Sequence, residues 1–116
     1  MDKYVRAVVN GKVICEKVEV ANTFVKRFMG LMYRKSLGED EGLLLEPCNQ
    51  IHTFGMKFVI DTITISSDNR IRHMDEKVEP GKVRPMVKDG KKVLELTSGT
   101  IEKYGLELGD IVEFHE

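Results

Sequence analysis

The first strands of the chain are predicted from a run of apolar and β-branched residues. "YVRAVV" at 4–9 and "KVICEKVEV" at 12–20 have this composition, and Asn10-Gly11 separates them. Asn-Gly tolerates the positive φ angles of a two-residue turn. The two segments are therefore predicted to pair as an antiparallel hairpin.

The hydrophobic period then changes to that of a helix in "NTFVKRFMGLMYR" at 22–34. Apolar residues recur there at offsets 0, 4, 7 and 8, namely Phe24, Phe28, Leu31 and Met32. This spacing predicts one buried apolar stripe. Asn22 or Thr23 can cap the helix by accepting backbone N–H bonds. Gly30 weakens a helix by about 1 kcal/mol relative to Ala, which indicates close packing at that point.

The rest of the chain consists of short strand-like segments joined by turns. Strands are predicted at "LLLE", "FVIDTITIS", "RIRHMDEKV" and "IVEFHE", and "VRPMV" and "KKVLELT" should form a hairpin around Asp89-Gly90. "SGTIEKYGLELGD" predicts a helix of one or two turns, with Ser98 as its cap and Gly105 as its left-handed end. The pattern predicts a single α+β domain over residues 1–116: a compact, mostly antiparallel β-sheet, a partly closed barrel, with two short helices.

Composition and charge are typical of a soluble globular protein. Residues are 41% hydrophobic and 32% charged, which gives no reason to expect disorder. The formal net charge of −1 predicts no nucleic-acid partner and no anionic membrane surface. No apolar run approaches the ~18 residues of a membrane span. Because no signal-peptide pattern is present at the N-terminus, we expect a cytoplasmic location, with Cys15 and Cys48 as reduced thiols.

Asp61 is the most informative residue, because it lies inside the apolar run "FVIDTITIS". Alternate side chains of a strand share a face, so Asp61 should lie with Val59, Ile63 and Ile65. A carboxylate on an apolar face must find a cation or several hydrogen-bond donors. Two interpretations remain open: a structural carboxylate held by backbone N–H groups or an arginine, or a member of a functional site.

Arg27 and Arg34 are the expected cations for this carboxylate. They are seven positions apart and so lie on one helical line, at the edge of the apolar stripe. From that edge a guanidinium could bind a carboxylate in fork geometry. The alternative is that each extends into water with its stem packed. Glu95 alternates with Leu94 and Leu96 and is expected to face solvent.

His52 is a candidate general acid or base, because its reference pKa lies near neutrality. Asp61 could orient it, and Cys48 could act as a nucleophile beside it. The simpler interpretation is a histidine that donates one hydrogen bond to a carbonyl, with Thr53 making only a side-chain turn bond. No paired Cys or His spacing and no glycine-rich phosphate loop occurs in the sequence, so neither a metal nor a cofactor is predicted.

Several segments, taken in order, resemble the DUF192 (UPF0127) family. These are "RFMGLMYRKSL", "GLLLEPCNQIHTFGMKFVIDTITIS" and "VLELTSGTIEKYGLELGDIVEF", and the resemblance extends from about Val13 to Phe114. It implies a compact mixed α/β domain with a largely antiparallel sheet. It also implies a set of signature positions: Arg27, Gly30, Leu31, Met32, Arg34, His52, Thr53, Met56, Asp61, Glu95, Gly99, Gly109 and Asp110. The family has no established activity, so no substrate, cofactor or catalytic residue is implied.

The sequence thus predicts a binding or interaction module for a small molecule or a peptide. The predicted binding residues are Arg27, Arg34, His52, Thr53 and Asp61. One alternative is a small hydrolase or transferase that uses His52 with Asp61, which needs a ring nitrogen within about 3.2 Å of a carboxylate or thiol beside an open pocket. A second alternative is an interaction scaffold without a ligand site. The ligand and the oligomeric state are not predicted.

Overall fold

The computed structural model of the protein describes residues 3–116. These residues form seven strands and two helices: β1 Tyr4–Val9, β2 Lys12–Ala21, α1 Phe24–Met29, β3 Glu41–Leu45, β4 Ile60–Ile65, β5 Ile71–Val78, β6 Lys92–Thr97, α2 Thr100–Tyr104 and β7 Val112–His115. The strands form one sheet in the order β5-β4-β6-β3-β2-β1-β7. The pair β2–β3 is parallel and the other pairs are antiparallel. Within the described residues, neither helix has the length and apolar character needed to cross a membrane.

The two outer strands of the sheet meet at one end. The Ile71 N–H donates to the Asp110 carbonyl at 2.9 Å, and the Val112 N–H donates to the Asn69 carbonyl at 2.8 Å. These bonds join the start of β5 to the start of β7. The sheet is therefore a half-barrel, which confirms the predicted α+β fold with a mostly antiparallel, partly closed sheet and two short helices.

Two apolar clusters cover opposite faces of the sheet. The larger cluster takes side chains from all seven strands and from α2, so its face is the interior of the half-barrel; it includes Val18, Ile63, Leu94, Leu96 and Ile101. The smaller cluster lies on the outer face, under α1 and the segment of residues 46–59; it includes Leu31, Leu43, Leu45, Ile51 and Met56. Because both faces are covered, β4 is buried along its length and so is most of β6.

The first hairpin forms as its turn residues predict, whereas the second does not. Asn10 and Gly11 have φ angles of 53° and 76°, and β1 pairs antiparallel with β2. Residues 83–87 form no regular strand, and β6 pairs with β4 and β3 instead. The hairpin predicted around Asp89-Gly90 is therefore wrong. A segment with Pro85 at its centre lacks a ladder donor, so it competes poorly for pairing with β6.

Helix α1 is shorter than predicted, and its apolar stripe is not buried. The helix begins after Thr23, whose side chain accepts a backbone N–H, and it ends at Gly30 with a φ of 50°. Because the helix stops there, Leu31 does not lie on one helical stripe with Phe24 and Phe28, and it is buried although they are not. Phe24 and Phe28 are 75% and 61% exposed, and their rings stack on one another.

Candidate functional site

Asp61 is fully buried in β4 and is held by backbone amides. It pairs across the sheet with Leu96 and so points into the interior of the half-barrel. Its Oδ1 accepts the Lys77 N–H at 2.9 Å, and its Oδ2 accepts the N–H groups of Gly99 at 3.1 Å and Ile101 at 3.0 Å. Three N–H donors can stabilise a buried carboxylate without a cation.

Two of these bonds cap helix α2. Gly99 is the N-cap residue, with a left-handed φ of 95°, and no side-chain capping bond forms within the helix. Asp61 supplies the acceptor that an N-cap side chain usually provides. The predicted cap at Ser98 is therefore wrong, whereas Gly105 ends the helix with a φ of 57° as predicted. The carboxylate of Asp61 thus fastens α2 to β4.

The acceptors of Arg27 and Arg34 lie away from the buried carboxylate of β4. The guanidinium of Arg34 donates to Oε1 of Glu19 at 2.6 Å. The Nη1 of Arg27 donates to the backbone carbonyls of Asn22 at 3.2 Å and Glu46 at 3.5 Å. Both arginines therefore hold local structure around α1. Sequence spacing placed them on one line, but it could not show which face of the sheet that line would cover.

Thr53 is fully buried and joins two segments of the chain. Its Oγ1 donates to the Glu79 carbonyl at 2.6 Å and accepts the Lys82 N–H at 2.8 Å. Its own carbonyl accepts the Gly81 N–H at 2.9 Å. Thr53 therefore ties the 46–59 segment to the turn after β5. These partners are distant in sequence, so they could not be read from a local turn pattern.

His52 is exposed on the 46–59 segment. Its Nδ1 accepts the Phe54 N–H at 3.2 Å, and the two rings stack with their centroids 5.4 Å apart. Among residues 3–116, no hydrogen bond or ion pair joins His52 to a carboxylate or a thiol. Asp61 points to the opposite face of the sheet. The structure therefore does not bring the two candidate catalytic residues together.

A small cavity opens on the outer face of the sheet, between α1 and the 46–59 segment, and we call it the Glu95 cavity. It has about 50 Å³ of room for water. Its lining includes the side chains of Arg27, Phe28, Cys48, His52, Phe54 and Glu95. Two of the predicted site residues, Arg27 and His52, thus meet at this cavity. Arg34, Thr53 and Asp61 are engaged elsewhere.

Glu95 is the residue of this cavity that the sequence analysis misplaced. It is only 2% exposed, and within the described residues its Oε1 is buried without a hydrogen-bond partner. Because a buried carboxylate loses its hydration, burial raises the pKa of Glu95 to about 8. The prediction that Glu95 faces solvent is wrong, because β6 lies between β4 and β3 and its centre is covered on both faces.

Glu95 belongs to a row of side chains that crosses the outer face of the sheet. Cross-strand pairing places these residues side by side in five neighbouring strands: Glu19, Leu43, Glu95, Thr62 and Asp75. Residues that pair directly across neighbouring strands have their side chains on the same face. Three carboxyl groups therefore lie on one line, and Glu95 is the central one.

The two flanking carboxylates of this row are each paired with an arginine. Arg34 binds Glu19, and Arg84 donates to both oxygens of Asp75 at 3.1 and 3.0 Å. Although burial of Asp75 opposes it, the bonds from Arg84 hold the pKa of that carboxyl below its usual value. In the part of the chain that the structure describes, Glu95 has no such cation bonded to it.

Cys48 borders the Glu95 cavity as a free thiol. Its Sγ donates to the Gln50 carbonyl at 3.1 Å. Burial raises the pKa of the Cys48 thiol above its usual value, and the nearby Glu95 acts in the same direction. Since the thiolate is the nucleophile, this environment does not activate Cys48. Residues 3–116 contain no group of three or more His, Cys, Asp or Glu side chains that could hold a metal ion.

The fold and this cavity define an α+β half-barrel with a candidate binding site on the outer face of its sheet. The family model of DUF192, described as an uncharacterized ACR, matches residues 5–114. The chain therefore belongs to the DUF192 family, as its sequence motifs predict.

The chain is also similar to one named member of this family and to two proteins of known structure. A UPF0127 protein of Pyrococcus furiosus is 28% identical over 113 residues, which cover 93% of this chain and 95% of the relative. A protein of unknown function from Novosphingobium aromaticivorans has a similar crystal structure, with a TM-score of 0.84, 24% identity and coverage of 97% and 84% of the two chains. A Sinorhizobium meliloti protein described only as a candidate transcription regulator has a TM-score of 0.82, 27% identity and coverage of 98% and 94%.

Proposed function

We propose that the protein is a binding module whose ligand enters the Glu95 cavity and donates a hydrogen bond to the carboxyl group of Glu95. The observation that carries this proposal is the buried carboxyl oxygen without a partner. Leaving such a group unsatisfied costs about 1–3 kcal/mol, and native proteins rarely retain one without a reason. A small molecule or a peptide side chain that donates to it would recover this free energy.

The surroundings of the cavity support a ligand site. Its walls are mostly apolar, with a few polar groups, which is typical of small-molecule sites. About 50 Å³ admits only a few non-hydrogen atoms, so the remainder of a ligand would lie outside the cavity. Phe28 and Phe54, which are 61% and 51% exposed, offer it an apolar surface at the mouth.

The residues predicted from the sequence take two roles in this proposal. Arg27 and His52 line the cavity and would contact the ligand. Arg34 and Thr53 support it indirectly, because their bonds hold the segment after α1 and the 46–59 segment against the sheet. Asp61 fastens α2 on the opposite face. The alternative of a hydrolase or transferase has less support, since His52 and Asp61 lie on different faces. An interaction scaffold without a ligand would leave the partnerless carboxyl unexplained.

A role in transcription, as described for the Sinorhizobium protein, has no support from the charge of this chain. Its formal net charge is −1, whereas DNA-binding domains usually carry a basic patch that neutralises phosphates. We therefore propose no nucleic-acid partner for the cavity.

The test is a fragment titration followed by NMR. Small amines, amides and alcohols are added to the wild type and to Glu95→Met, which keeps the side-chain volume and removes the acceptor. At least one class should shift the backbone amides of Gly30, Ile51 and Phe54, with about tenfold weaker binding in the variant. Glu76→Met, at an exposed position of β5 outside the cavity, should leave the binding unchanged. Shifts elsewhere, or equal binding to Glu95→Met, would contradict the proposal.

A further inference from the structure

We infer that the group that occupies the Glu95 cavity is a protonated primary amine carried on an apolar chain. This inference rests on the proposed function and names the class of its ligand. It goes further because a partnerless acceptor alone would accept a bond from any donor, neutral or charged.

The row of carboxyl groups favours a cation over a neutral donor. Glu19 and Asp75 occupy equivalent places on either side of Glu95, and each is bound by an arginine of this chain. Buried carboxylates are normally paired with cations or with several donors. The chain supplies such a partner at both outer places and bonds none to the central carboxyl within the described residues, so the central place suits a cation from another molecule.

The size and the mouth of the cavity favour an ammonium group. An ammonium is a compact point charge on a flexible stem, whereas a guanidinium is a wider planar fork, so a cavity of about 50 Å³ suits the more compact group. The aromatic rings of Phe28 and Phe54 at the mouth can attract a cation as it enters and can pack against its methylene chain. Phe24 extends this apolar surface, because its ring stacks on Phe28 with the centroids 6.3 Å apart.

The charged and titratable groups around Glu95 determine how the affinity should depend on the charge of the ligand. Arg27 comes from α1, Cys48 and His52 come from the 46–59 segment, and the ion-paired Glu19 and Asp75 lie in the same row. Arg27 opposes a bound cation, although its donors are directed at backbone carbonyls. Replacing Arg27 with Gln should therefore strengthen the binding of an amine, whereas it would weaken the binding of an anion.

The pH dependence of binding also distinguishes an amine from a neutral ligand. Burial raises the pKa of Glu95 in the ligand-free protein to about 8, so the carboxyl is mostly protonated at neutral pH. An ammonium group must displace that proton, and it stays charged itself up to a pH of about 10. Its binding should therefore tighten as the pH rises towards 8. An amide, which pairs with the protonated carboxyl, should instead bind more weakly above a pH of about 8.

The experiment titrates the full chain with n-butylammonium chloride and, as a neutral comparison, with butyramide. Affinity is read from NMR shifts of the cavity amides at pH values of about 6.5 and 8.5, which lie on either side of the pKa. We expect n-butylammonium to bind about tenfold or more tightly at the higher pH. Glu95→Gln, which keeps an acceptor and removes the charge, should weaken it about tenfold at that pH. The control Glu76→Gln removes an exposed carboxylate of β5 and should change it less than about twofold.

The inference is overturned if butyramide binds more tightly than n-butylammonium at the higher pH, or if Glu95→Gln binds the amine there as well as the wild type does. In that case, a neutral ligand that Glu95→Met no longer binds would leave the proposed function intact. If none of these ligands perturbs the cavity amides, both proposals fail. Among amines, tighter binding of N-acetyl-lysine methylamide than of 1,4-diaminobutane would identify a lysine side chain of a polypeptide as the source, and the reverse order would identify a free polyamine.

Discussion

Asp61 and Glu95 are both buried in the centre of the sheet, on the adjacent strands β4 and β6, but they face opposite sides of it. Asp61 could be recognised from the sequence, because a charge inside a long apolar run must be buried with partners. Its hydrogen-bond partners could not be predicted, since they are backbone amides distant in the chain. Glu95 has the same signal, a charge among apolar residues. However, "VLELT" alternates apolar and polar residues, which predicts a strand with one exposed face and places Glu95 in solvent.

Replacing Asp61 with Asn should destabilise the fold strongly. The amide group of Asn would present a donor to at least one of the three N–H groups that Asp61 now accepts. We expect the free energy of unfolding in urea to fall by about 3 kcal/mol. Asp110→Asn serves as the control, because Asp110 accepts a single exposed N–H, and it should cost about 1 kcal/mol or less. Equal losses for the two variants would contradict the anchoring role of Asp61.

Stability should depend on pH through Glu95. Its pKa rises from 4.5 in the unfolded chain to about 8 in the folded protein, so the folded state binds the proton more tightly. The stabilisation is complete below a pH of about 4.5 and is lost as the pH rises through 8. Glu95→Gln lacks this loss, so its stability relative to the wild type should increase by about 5 kcal/mol at most as the pH rises from below 4.5 to above 8. Urea unfolding of the wild type and of Glu95→Gln at the two ends of this pH range measures the difference. If the unfolding free energies of the two proteins change equally with pH, Glu95 is not a buried, unpaired carboxyl.

At the scale of the element, α1 shows where hydrophobic periodicity misleads. The apolar offsets are regular, but Gly30 ends the helix before the stripe is complete, so Phe24 and Phe28 remain at the surface. The sequence contained the necessary signal, because an isolated glycine near a helix end is a common C-terminal residue. Hydrophobic spacing alone could not decide between a helix with a weak point and a helix that stops.

A pair of substitutions tests this view of α1. Phe24→Ser should change the free energy of unfolding by no more than about 0.5 kcal/mol, because the side chain is 75% exposed. Leu31→Ala, at a buried position just beyond the helix, should cost about 2–5 kcal/mol. Thermal or urea unfolding measures both. A large loss of stability in Phe24→Ser would contradict this view, because it would mean that Phe24 is buried in the apolar stripe that the sequence predicts.

At the scale of the whole molecule, the α+β class, the mostly antiparallel sheet and its partial closure could be predicted, because they follow from strand lengths and turn residues. The strand order could not. The sequence favoured a local hairpin before β6, whereas β6 lies between β4 and β3 and forms the centre of the sheet. Central strands gain burial on both faces, and this long-range gain outweighs a local turn preference.

Closure of the half-barrel predicts a pattern of hydrogen exchange. The N–H groups of Ile71 and Val112 form the bonds that join the two outer strands. If this end of the sheet is closed, they should exchange about as slowly as the amides of the central strand, for example that of Leu94, through global unfolding. Amide exchange followed by NMR measures both groups. Exchange that is faster by several orders of magnitude would show that the edges open independently.

The most direct test of the account is the pKa of the Glu95 side chain in the free protein, measured by NMR titration of its carboxyl carbon. We expect a midpoint at about 8, together with a fall in that midpoint when n-butylammonium is present. A midpoint near 4.5 in the free protein would mean that this carboxyl is already solvated or paired. Glu95 would then offer no unpaired acceptor to a ligand, and the proposed binding site would be wrong.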